Sequence, residues 1–227
     1  MKLTIFRRCL IFGTFLGCCL SGALLAGALG TPRWATARAE RHNSTGSRGR
    51  VVFGLFAGSR ELNVAYGWRT FHFSVPMMVQ AEPPLLHPAA WMGTVACTGA
   101  GLALAALGAL FAAVNTATVP ASKLAAVPGL YLWNTLAVIA DLGAISLWVV
   151  EYYTKIQYNV LSREDLNNKW TSEGMADFGR SFWFVVGAAI ISVLNIVSII
   201  IAMADDREKD PIAPMIEEKS NGAIMLY

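Results

Sequence analysis

Four long apolar runs divide this chain, and they restrict its possible folds more than any other feature. They cover residues 9–30, 91–114, 129–150 and 181–204. Each is about 22–24 residues long, and a helix needs about 20 to cross a bilayer core. A single acidic residue falls within the runs, Asp141 in the third, and Glu151 stands just past its end. The pattern predicts an all-α membrane protein, a bundle of four transmembrane helices.

Composition agrees. Of 227 residues, 55% are hydrophobic and 15% charged, against about 25% charged in soluble domains. Little chain is left for a separate domain. The formal charge of +3 is small, and the basic residues form no stripe that would track nucleic acid. All four cysteines, Cys9, Cys18, Cys19 and Cys97, lie in the apolar runs. A disulfide between the loops is therefore excluded, and thiols in such runs act as small hydrophobes. Cys9 differs, because it follows Arg7-Arg8 at the membrane edge and is a candidate for palmitoylation.

Lys2, Arg7 and Arg8 favour a cytoplasmic start. The first run also has features of a secretory signal, but its length favours a retained span. The expected order is a cytoplasmic 1–8, first span 9–30, outer loop 31–90, second span 91–114, inner loop 115–128, third span 129–150, outer loop 151–180, fourth span 181–204 and cytoplasmic tail 205–227. Asn43-Ser44-Thr45 then faces the lumen as a glycosylation sequon at Asn43. The charge count disagrees. The first outer loop carries Arg33, Arg38, Arg41, Arg48, Arg50, Arg60 and Arg69, whereas the inner loop has only Lys123. The positive-inside rule is weak for loops of about 60 residues, so the amino-terminal charges and the sequon decide the orientation.

In the first outer loop, residues 31–50 are polar and rich in Arg, Ser and Gly, which suggests a flexible or glycosylated segment. Val51-Val52-Phe53-Gly54-Leu55-Phe56 is rich in strand formers. Phe71-His72-Phe73-Ser74-Val75 alternates apolar and polar residues. A small antiparallel β-sheet on top of the bundle fits these pieces; a loosely ordered loop is the alternative. The second outer loop mixes charges and is expected to extend the third helix.

The second span carries small residues at spacing four: Gly93, Cys97, Gly101, Ala105, Ala109 and Ala113. The first has Gly13, Gly17 and Ser21 at the same spacing. Such rows let backbones approach closely, for packing within the bundle or, as a second reading, for a homo-oligomer.

The chain carries no catalytic constellation. His42, His72 and His87 are scattered and form no metal spacing with any cysteine. Nucleophile-elbow, phosphate-loop and dinucleotide patterns are absent, so neither an enzyme nor a cofactor is expected. Asp141 is the one residue that composition does not explain. A mid-span carboxylate costs about 2.5–3.5 kcal/mol on insertion scales, so it faces the bundle or is protonated. At ~1.5 Å per residue, Asp141 is roughly 18 Å from the inner edge, a depth near that of Ser192 and Asn195. The expected role is a neutral or hydrogen-bonded clamp between the third and fourth spans; an ion path is the alternative.

Several landmarks stand in register with the spans. Gly54-Leu55-Phe56-Ala57-Gly58 lies in the first outer loop. Pro128-Gly129-Leu130-Tyr131-Leu132-Trp133-Asn134 opens the third span, Phe178-Gly179-Arg180-Ser181-Phe182-Trp183 opens the fourth, and Asn195-Ile196-Val197 follows within it. In order and spacing, over nearly the whole chain, they resemble the clarin family of four-span proteins, which is distantly similar to claudins and peripheral myelin protein. Claudins carry a Trp, then Gly-Leu-Trp, then two paired cysteines in this loop. Here Trp34 and Gly54-Leu55-Phe56 match in part, but Ser59 stands where the first cysteine is expected. That departure argues against a claudin-type seal. The clarin resemblance implies a non-catalytic organiser of membrane domains, actin-rich protrusions and synapses in hair cells and photoreceptors, with a role in hearing. An auxiliary channel subunit and a junctional adhesion protein are the alternatives.

The tail closes on Met225, Leu226 and Tyr227. Apolar residues at the last and third-last positions suit a PDZ-type scaffold that adds the peptide as a strand.

Overall fold

The computed structural model describes residues 5–42, 47–64, 67–81, 85–118, 124 and 126–209. Asn43 and the terminal Met225, Leu226 and Tyr227 lie outside the described residues. In chain order the elements are α1 (Ile5–Gly30), β1 (Ala35–Arg41), β2 (Arg48–Phe53), β3 (Ala57–Val64), β4 (Gly67–Ser74), α2 (Val75–Ala81), α3 (Pro88–Ala117), α4 (Val127–Glu151), α5 (Arg163–Asn167), β5 (Trp170–Thr171), β6 (Ala176–Phe178) and α6 (Arg180–Lys209). Helices α1, α3, α4 and α6 are long and apolar enough to span a bilayer. Two begin with a proline in the first turn, Pro88 in α3 and Pro128 in α4, where the missing N–H has no intrahelical partner to lose.

The four helices form a ring in which α1 and α4 each pack against both α3 and α6. Their buried positions share one rhythm. In α1 these are Ile11, Thr14, Cys18, Ser21, Leu25 and Ala28. In α3 they are Thr94, Thr98, Gly101, Ala105, Gly108, Ala112 and Asn115. In α6, Val185, Ala188, Ser192, Asn195, Ile199 and Ala202 are buried. Steps of three and four alternate, which is the heptad seam of left-handed bundle packing. Small and polar side chains predominate in the seam, interspersed with Ile11, Leu25, Val185 and Ile199. Large aliphatic residues such as Leu16, Leu20, Ile139, Leu142, Ile190 and Leu194 lie outside it, half or more exposed. This distribution suits a lipid surround, where close backbone approach rather than water exclusion drives packing.

The row at spacing four in the second span therefore needs correction. Gly101 and Ala105 are buried, but Gly93, Cys97 and Ala109 are half-buried and Ala113 is exposed. A step of four overshoots one turn of 3.6 residues, so the row winds off the contact face. Gly108 and Ala112 take its place.

The outer layer is a six-stranded antiparallel sheet in the order β4-β3-β2-β1-β5, with β6 also on β1. Residues 31–50 were expected to be flexible, yet β1 is an interior strand of this sheet. Ala35, Ala37 and Ala39 point into the core, and Arg38 and Glu40 point away. Alanine is a weak strand former, which hides the two-residue period. The expected strand over 51–56 is shifted: β2 is Arg48–Phe53, and Gly54 and Leu55 lie in the turn to β3. The second outer loop does extend the third helix, through a π-helical turn at Tyr152–Ile156. It then returns to zip both short strands onto β1, pairing Arg41 with Trp170 and Ala37 with Ala176.

Sheet and bundle meet around two indoles. Trp34 and Trp148 are fully buried and contact edge to face, with centroids 5.0 Å apart. Trp34 Nε1 donates to the Ala28 carbonyl at the end of α1, 2.7 Å. Tyr152, Phe178 and Phe182 stack in sequence, at 4.0 and 4.5 Å.

Candidate functional site: a polar seam inside the bundle

Residues from all four long helices meet at one level of the bundle. Asn195 of α6 donates through Nδ2 to Asn134 Oδ1 of α4, 3.1 Å. The Cys18 thiol of α1 points to the same oxygen at 3.5 Å. Asn134 spends its own Nδ2 on the Leu130 carbonyl, 2.9 Å. Two glycines make the room. A Cβ at Gly17 of α1 would run into the Asn195 amide, and one at Gly108 of α3 would come 3.0 Å from Cys18 Sγ. One turn along α1, Ser21 and Ser192 approach hydroxyl to hydroxyl at 3.4 Å. Asn134, Ser192, Asn195, Cys18 and Ser21 are all buried.

Asp141 lies elsewhere. It is 0% exposed, and its carboxyl rests on α3, where a Cβ at Gly101 would sit 2.5 Å from Oδ1 and 3.4 Å from Leu25 Cδ1. Neither oxygen has a hydrogen-bond partner among the described residues. The expected bonds from Asp141 to Ser192 and Asn195 are therefore not made. The depth match fails for Asn195: its partner Asn134 stands on the same buried seam of α4 as Asp141, but about two helical turns away from it. The two asparagines, each in a separate sequence landmark, bond each other instead.

A second polar contact closes the outer end. Glu151 is fully buried at the end of α4. Its Oε1 accepts from the His87 backbone N–H, 2.6 Å, and its Oε2 lies 3.1 Å from His87 Nδ1. His87 is the N-cap residue of α3. A carboxylate here faces the positive end of the α3 dipole and ties the start of α3 to the end of α4. In the sequence His87 is one of three scattered histidines, and nothing in its spacing points to Glu151.

The other landmark residues shape backbone and rim. A Cβ at Gly54 would come 2.5 Å from Pro32 Cα, so the β2–β3 turn lies directly on the α1–β1 corner. Leu55 is buried, and its carbonyl accepts from Trp91 Nε1, 2.9 Å. Phe56 is half exposed, and its carbonyl accepts from the Val75 N–H. Gly129 is pressed against the Leu124 backbone. Trp133 donates to the Leu124 carbonyl at 3.3 Å and stacks on Phe111. Phe182 is buried in the aromatic stack, whereas Trp183 is 58% exposed. Ser59 sits in β3 opposite Val52. Cys9 and Cys19 are exposed, Cys97 half-buried, and all four cysteines are free thiols.

Among the described residues no group of three His, Cys, Asp or Glu could hold a metal. Cys18, Asn134 and Asn195, and Ser21 with Ser192, instead bond across helices. Such contacts hold helices in a fixed register, each contributing about 0.6–2 kcal/mol.

A family model described as Clarin-2-like matches residues 9–201. No curated protein matches the chain.

Proposed function

This chain belongs to the clarin family, and from that premise we propose that it is a non-catalytic organiser of plasma-membrane domains in sensory cells. Its setting would be actin-rich protrusions or synapses, with a role in hearing. The observation that carries the reading is the polar seam. Cys18 and Asn195 meet at Asn134, and Ser21 meets Ser192 one turn away, so the interior maintains the shape of the bundle. That leaves the lipid-facing helix surfaces, the outer sheet and the tail for partners. Met225, Leu226 and Tyr227 are the proposed PDZ-scaffold contact toward actin. Asn43 is the proposed glycan site and Cys9 the proposed lipid anchor.

Co-purification in mild detergent from a sensory epithelium, with tagged localisation, tests the reading. Scaffold and cytoskeletal proteins should accompany the chain at protrusions or synapses. A stoichiometric channel in its place would establish the auxiliary-subunit alternative, and concentration at cell contacts the adhesive one.

A further inference from the structure

Outside the membrane-spanning helices, three arginines from three strands converge on one cleft. Arg41 ends β1, Arg60 lies in β3 and Arg69 in β4. Arg60 is paired with Phe71 and Leu62 with Arg69 across the β3–β4 ladder. The two-residue period of a strand therefore puts these four side chains on one face. Helix α5 closes the other side with Glu164 and Asp165, and the cleft holds about 230 Å³.

The three arginines are not equivalent. Arg60 is committed to the protein. Its Nη1 bonds Ser162 Oγ at 2.7 Å and pairs with Asp165, and its guanidinium lies 5.0 Å from the Phe71 ring centre. It is a fixed wall whose charge is already offset. Arg41 is aligned by one bond, from Nε to the Asn168 carbonyl at 3.2 Å, which leaves both terminal amino groups uncommitted among the described residues. Arg69 is exposed and likewise has no partner among the described residues. Glu164 is 79% exposed, with its carboxylate 3.9 Å from Arg60.

A matching ligand needs an anionic group for the Arg41 and Arg69 forks, which favour planar carboxylates. It also needs hydrogen-bond donors for Glu164 and an apolar surface for Phe71. The volume lies below the roughly 300–1,000 Å³ of pockets for drug-sized ligands, so one ring is the appropriate scale. We infer that this cleft binds a carboxylate-bearing sugar at the end of a cell-surface glycan. Its acid group sits between Arg41 and Arg69, its hydroxyls donate to Glu164, and its ring lies against Phe71. An acidic peptide fits less well, because it would bring further carboxylates against Glu164 and Asp165 with fewer donors to satisfy them. The assignment also gives a use to arginines that are out of place by the positive-inside rule. The glycan source rests on the proposed outside placement of the sheet; the binding chemistry does not.

The test uses purified full-length protein in detergent and saturation-transfer NMR, with N-acetylneuraminic acid as probe. Its methyl ester and a diglutamate peptide serve as comparison ligands. Transfer is expected to the acid and not to the ester. Arg41→Ala and Arg69→Ala should each weaken binding by about ten-fold or more. Arg38→Ala, on the opposite face of β1, should leave it unchanged, and thermal melts should show each variant folded. Absence of transfer to the acid, equal transfer to the ester, or an equal loss with Arg38→Ala would overturn the inference. Transfer to the peptide alone would reassign the cleft to a protein partner. Because the assay uses the isolated chain, its failure is distinct from failure of the organiser role, which is read in cells.

Discussion

At the scale of single residues, the interior of this protein depends on a few polar atoms and on glycines that make room for them. Asn134 and Asn195 share one bond, so they should not act independently. Asn134→Leu and Asn195→Val should each lower the melting temperature in detergent, and the double variant should lose less than the sum. The coupling expected is about 0.6–2 kcal/mol; strict additivity would show that the bond contributes nothing. Asp141 has no cationic or donor partner among the described residues, so Asp141→Asn removes no ion pair and should reach the surface normally. Asp141→Lys adds length and charge against Gly101 and should be retained. Surface biotinylation separates the two, and an Asn variant that fails as badly as Lys would reveal an ionic role. The sequence made these residues conspicuous, since Asp and Asn are rare in apolar spans. It did not reveal their partners, because a depth counted from the ends of the apolar runs misplaces Asn195 by about two helical turns. Cys18 looked like an ordinary small hydrophobe, and only the position of Asn134 makes its thiol part of the seam.

At the scale of helices and strands, the choice between two periodicities can be decided by experiment. Gly101→Leu and Ala105→Leu lie on the contact face under either pattern and should impair stability or trafficking, whereas Ala103→Leu should not. The discriminating pair is Ala112 and Ala113. Ala112 is fully buried in the heptad seam, and Ala113, the last member of the row at spacing four, is exposed. Ala112→Leu should destabilise by about 1–3 kcal/mol, as overpacking does, while Ala113→Leu should be silent in a detergent melt; the reverse order would restore the simpler row. Helices were legible because about twenty apolar residues in succession have few other solutions in a cell. Strand β4 was visible through the alternation in Phe71-His72-Phe73. Strand β1 was hidden because its inward residues are alanines and its outward ones arginine and glutamate, a composition typical of loops. Strands β5 and β6 span two and three residues, too few for any periodicity to register.

At the scale of the whole molecule, orientation is the property on which the proposed function depends. With the sheet outside, Asn43 should carry a glycan. Glycosidase should then sharpen the gel band, and Asn43→Gln should mimic that mobility. An unshifted band, together with protease access to the tail from outside, would invert the topology. The route of the chain through the sheet has a further consequence, in time rather than space. Strand β1 emerges early, between the first and second spans, but one of its edges is covered only by β5 and β6, roughly 130 residues later. At about 5–20 residues per second, a ribosome needs on the order of 7–26 s to supply them. Throughout that interval the nascent chain exposes a bare strand edge, the kind of surface that recruits chaperones or pairs with a neighbouring chain. The last short strands therefore act as a completion mark: until translation has passed Phe178, the outer sheet has an open side, and a chain interrupted before that point stays recognisably unfinished.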